Sequence, residues 1–86
     1  MDNIVAERNA YLALSQDWRQ RFAQLTPDIS DRVRIRLAWR LAAENIATDD
    51  ELSALTADAM LRWPEVGLKC VELRDHYIRR RLMRGR

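Results

Sequence analysis

The chain has 86 residues, 48% hydrophobic and 33% charged, with a formal net charge of +2. That balance excludes a disordered or low-complexity chain, and the length fits one domain with one small core. Two Gly, two Pro and few β-branched residues argue against a sheet, and the single cysteine, Cys70, excludes an internal disulfide and a cysteine-based zinc site.

Alanine, leucine and arginine dominate, and all three favour helix, so the expected class is all-α. Residues 3–25 read as one long amphipathic helix, with Ile4, Tyr11, Leu14, Trp18, Phe22 and Leu25 recurring at helical spacings. Asp2 or Asn3 is its candidate cap. Pro27 disfavours helix at Thr26 and ends it. A second helix, capped by Ser30 or Asp31, is expected over 31–44, apolar at Val33, Leu37 and Leu41. Thr48 starts a short helix whose first turn holds Asp49, Asp50 and Glu51, charges that suit the positive end of the helix dipole. Thr56 caps a second short helix. "LRWPEVGLKC" (61–70) then makes a tight turn, and a last helix is expected from about Val66 to Arg81 or beyond, with Val66, Cys70, Leu73, Tyr77 and Leu82 inward. The arginine-rich end, 81–86, is expected to fray as a basic tail. Residues 1–26 thus form an N-terminal helix and residues 30–80 a compact four-helix unit, within a single domain.

Charge is distributed unevenly along this layout. "RVRIRLAWR" (32–40) and "RRRLMRGR" (79–86) carry nine of the fifteen basic residues and no acid. Arg32, Arg36 and Arg40 fall at i, i+4 and i+8, on one helix face. Such segregation favours an anionic partner. At the turn, Gly67 is expected to let the backbone bend without a Cβ clash. The amides near Leu68 and Lys69, at a helix start, lack intrahelical acceptors and could receive a phosphate oxygen. Lys69 adds a full charge, and Arg79, Arg80 and Arg81 would add nonspecific affinity that falls with salt.

Two short helices, the Pro64-x-x-Gly67-x-Lys69 turn and a longer helix form a helix-hairpin-helix-like order. Residues 33–78 resemble the C-terminal domain of the bacterial RNA polymerase alpha subunit. The resemblance rests on Leu41 and Ile46, Leu52, Thr56 with Met60 and Leu61, then Pro64, Gly67 and Lys69, all in register without a gap. It implies docking on DNA at the minor groove and contact with transcription factors. It places the family's key arginine at Arg36, its turn glycine and lysine at Gly67 and Lys69, and its serine at Cys70. Two asparagines of the family pattern are replaced, by Trp39 and by Glu65, whose charge would repel phosphate. The polymerase-assembling domain has no counterpart, so the expectation is a stand-alone small protein, of a phage or mobile element.

Each feature also has a plain structural reading. The arginine stripe can be a solvated face paired with Asp28, Asp31 or acids on the first helix. Gly67 and Lys69 can be turn and solubilising residues, and the basic tail a solubilising one. The tryptophans read as core or interface, with Trp63 packed under the turn and Trp39 the most exposed. Cys70 reads as a small buried residue. His76 stands alone, so neither a metal site nor a nucleophile pair is expected, and no enzyme activity or cofactor. The first helix either folds back on the core or pairs with a second copy in a homodimer. The expected partner is DNA or RNA. The rival is a protein-interaction module that binds RNA polymerase, a regulator or itself. No apolar run is long enough to span a membrane, and no signal segment is visible, so the expected location is cytoplasmic.

Overall fold

A computed structural model describes residues 2–84, with side-chain surroundings from residue 6 onward. Five helices follow one another: α1 (Asp2–Leu25), α2 (Asp31–Ala43), α3 (Asp49–Ala54), α4 (Ala57–Leu61) and α5 (Leu68–Arg84). There is no strand among the described residues, as the scarcity of Gly and β-branched residues implied.

The helix ends follow local chemistry. α1 stops at Leu25, and Thr26 is locked beyond it: its amide and its hydroxyl both donate to the Phe22 carbonyl. Asp2 and Asn3 lie inside α1; their capping role, like the inward position of Ile4, falls outside the described side chains. α2 ends in a Schellman motif. Asn45 takes a left-handed φ of 57°, its amide donates to the Ala42 carbonyl, and the Ile46 amide donates to the Leu41 carbonyl. Thr48 caps α3 through a full capping box with Glu51, and Thr56 accepts from the Ala59 amide to cap α4.

The core is one cluster drawn from every helix. Trp18 and Phe22 of α1, Leu37 and Leu41 of α2, Leu52 of α3, Met60 of α4, and Leu73 and Tyr77 of α5 are almost completely buried. Trp18 stacks on Phe22, with ring centroids 5.5 Å apart, and Tyr77 meets both edge-on. The Trp18 indole N–H donates to the Ile46 carbonyl at 2.6 Å, so the α2 C-terminal motif is tied to α1 across the core. α1 therefore folds back onto its own chain, which covers Trp18 and Phe22. Its 24 residues span about 36 Å, most of the 43 Å long axis of the molecule. Residues 6–10 are all exposed where α1 starts its run.

Three expectations are corrected here. Residues 81–84 are not a frayed tail but the last turn of α5, with Arg81 paired to Asp49; 85–86 lie outside the described residues. Leu82 does not face inward: it is 66% exposed, because α5 by then has run past the core. Gly67 does not relieve a steric clash: its φ is not positive, and an added Cβ would meet nothing within 4 Å. Its carbonyl accepts from the Cys70 and Val71 amides, the role of a helix N-cap. α5 accordingly begins at Leu68, two residues later than Val66.

Candidate nucleic-acid interface

The arginine stripe of α2 is real in space. The i, i+4, i+8 register brings Arg32, Arg36 and Arg40 along one edge of a groove of about 640 Å³. The neighbouring register on α2, Ile35, Trp39 and Ala43, makes its floor, and α1 contributes Tyr11. The Tyr11 and Trp39 rings lie 5.3 Å apart, tilted by 43°, and both are half-buried. Pro64 and Glu65, from the turn between α4 and α5, also line it, as does Asp31.

The cations sort into two groups. Several hold the fold. Arg74, only 8% exposed, donates to the Leu52 and Leu55 carbonyls at the end of α3 and to Asp75. Arg80 grips Asp28 with both terminal nitrogens and donates to the Leu25 carbonyl, fastening α5 to the α1–α2 turn. Arg81 and Arg21 both reach Asp49, which also accepts from the Tyr77 hydroxyl at 2.8 Å. Arg34 pairs with Asp31, and Arg40 with Glu44 at 3.4 Å. Others have no acidic partner among the described residues: Arg32, Arg36, Lys69 and Arg79 are exposed and form no ion pair there.

The sequence-derived site residues therefore fall in four places. Arg32, Arg36 and Arg40 share the groove. Gly67, Leu68 and Lys69 are exposed at the start of α5, and none of their amides donates to the backbone. Lys69 lines a separate, smaller hollow with Ile29, Ser30, Val33, Glu72 and His76. Arg80 and Arg81 are committed to Asp28 and Asp49, so they are structural ties before they are anything else. Arg79 points into a hollow beside Ser53, Asp75 and Leu82.

Local electrostatics agree with this sorting. Hydrogen bonds from Arg80 hold the Asp28 carboxyl down at about 2. Burial pushes the Cys70 thiol up, with a smaller opposing pull from the Arg36 guanidinium. Cys70 is thus a poor nucleophile. Burial, then the hydrogen bond to Asp49 and its charge, push the Tyr77 phenol up.

Tyr11, on the apolar stripe of α1, and Ile35 both line the groove. The Tyr11 signal was present, since it belongs to the α1 apolar stripe, but its pairing with Trp39 depends on how far α1 overlaps α2. Trp39 is half-buried against that ring rather than freely exposed. Arg74 was missed because a buried arginine differs from an exposed one only in which carbonyls the fold brings to it. No group of three or more His, Cys, Asp or Glu among the described residues is placed to hold a metal ion, and no helix there is long and apolar enough to cross a membrane. No family model, no curated protein and no solved structure matches the chain.

Proposed function

We propose that this protein binds nucleic acid, DNA in the first instance, through the sugar-phosphate backbone, and acts in transcription control. The observation that carries the reading is the presence of Arg32 and Arg36 on one face of α2, with no acidic partner among the described residues, in a groove also lined by the turn that leads into α5. Cations committed to ion pairs contribute little to an outside ligand. Free guanidiniums at a concave surface are suited to phosphate oxygens. The open amides at Gly67, Leu68 and Lys69 add partial positive charge at the N-terminus of a 17-residue helix. The resemblance to the polymerase alpha C-terminal domain supports the same residues, with α4, the turn and α5 as the helix-hairpin-helix-like part.

Titration of labelled DNA, single-stranded and duplex, at low salt tests it. Binding is expected, with Arg36→Ala weakening it and lowering the slope of log affinity against log salt by about one. Lys69→Ala weakens it less, since Lys69 lines a different hollow. No binding of either form, or binding indifferent to Arg36→Ala, overturns the reading.

A second reading follows from Glu65. A carboxylate at the groove and a half-buried aromatic floor also suit a protein partner, such as RNA polymerase, a transcription factor or a second copy bound along α1. Pull-down with and without nuclease separates the two: a partner that survives nuclease, with no DNA bound, selects the protein-interaction module.

A further inference from the structure

The charges of the groove are not evenly placed. Its α2 side carries Arg32 and Arg36, which have no acidic partner among the described residues, together with Arg40, paired with Glu44, and the carboxylate of Asp31, paired with Arg34. The turn contributes the carboxylate of Glu65. The floor carries the Tyr11–Trp39 pair. A duplex presents phosphates on both sides of any groove it offers. Here a second line of phosphates would meet Glu65. One strand fits differently. Its phosphates follow the cationic edge, and its bases, uncharged, lie over the aromatic floor towards Glu65. The volume, about 640 Å³, is within the range of sites that enclose a small ligand. A base can enter such a concavity only when it is not stacked in a helix.

We infer that the α2 groove is a site for an unpaired base of single-stranded nucleic acid, stacked on Trp39 and Tyr11 with its flanking phosphates on Arg32 and Arg36. This rests on the nucleic-acid reading above and deepens it by naming the form of the ligand. Stacking on an aromatic is sequence-tolerant, so the site reads strandedness rather than sequence.

The test compares three labelled probes of equal length by fluorescence anisotropy: an oligothymidylate, an abasic deoxyribose-phosphate strand and a mixed-sequence duplex. Polyglutamate serves as a fourth, protein-like polyanion. The oligothymidylate is expected to bind roughly tenfold more tightly than the abasic strand, and more tightly than the duplex. Trp39→Ala is expected to bring the oligothymidylate-to-abasic ratio to about one, and Trp39→Phe, which keeps an aromatic face, to restore most of it. Arg36→Ala weakens both single strands alike. Circular dichroism melting of each variant confirms that it is folded, and quenching of wild-type tryptophan emission by the oligothymidylate, reduced in Trp39→Phe, gives a readout that does not depend on the alanine variant. Equal binding of oligothymidylate and abasic strand, or a ratio untouched by Trp39→Ala, overturns the inference. Duplex bound as tightly as single strand, in an Arg36-dependent way, overturns it while leaving the nucleic-acid reading intact. No nucleic acid bound overturns both, and polyglutamate binding in its place assigns the groove to an acidic protein segment.

Discussion

Glu65 has a φ of 64°, in the left-handed region. There the Cβ of an L-residue crowds its own backbone, at a cost of about 1 kcal/mol that asparagine and glycine largely avoid. Glu65→Asn is therefore expected to stabilise the fold by about 1 kcal/mol, which raises the melting temperature by roughly 4–8 °C in a domain of this size. It also removes a carboxylate from the groove, which under the proposed function should tighten DNA binding. Thermal melting by circular dichroism checks the first effect; an unchanged or lower midpoint means that the turn does not strain this residue. The position of the turn was legible from Pro64 and Gly67, but its strain was assigned to the wrong residue. Glycine signals freedom, and nothing in a sequence says which neighbour uses it. Gly67 itself has no positive φ and serves as the helix N-cap, with open space where a Cβ would stand.

Among the elements, caps were the most readable features. Thr48 and Thr56 start α3 and α4 as their spacing implied, because a cap bonds three residues away and needs no tertiary partner. The end of α2 was less readable, since Asn45 signals a left-handed cap only once the helix before it has a fixed end. The ties between elements were not readable at all. Arg80 and Asp28 are 52 residues apart, and the fold alone makes them a two-pronged pair. Asp28 ionises at about 2 in the folded protein, against an ordinary value of 3.8. A carboxyl with a depressed folded value adds stability above its unfolded value, and that contribution is lost as pH falls through the folded one. The pair should thus act fully above about pH 4 and fade towards pH 2. Melting temperature recorded across this window is expected to fall less steeply for Asp28→Asn than for the wild type. Parallel curves would show that the pair contributes nothing to acid stability.

For the molecule as a whole, the N-terminal helix and the four helices after it share one core. Trp18 and Phe22, both at 0% exposure, sit in the same cluster as Leu37, Leu52, Leu73 and Tyr77. Deleting α1 removes two large aromatics from that cluster, each worth about 3–5 kcal/mol when truncated to alanine. A small domain has no such reserve. A chain beginning at Pro27 is expected to lose its cooperative thermal transition, while one beginning at Tyr11 should keep it, since residues 6–10 are exposed. A sharp transition in the shorter chain would make α1 an appendage after all.

Helix positions, the caps of α3 and α4, and the inward stripes of α1, α2 and α5 up to Tyr77 were already present in the order of residues, because each depends on bonds and periodicities a few residues long; Ser30, at the N-cap of α2, makes no side-chain cap bond. The α2 arginine stripe was present for the same reason. Which cations remain free was not. Arg34, Arg74, Arg80 and Arg81 look in sequence like Arg32, Arg36 and Arg79, and all are arginines on helices. They differ in whether packing brings a carbonyl or carboxylate within reach. The groove that joins Tyr11 to Trp39 and Glu65 likewise exists only after α1, α2 and the turn before α5 have met.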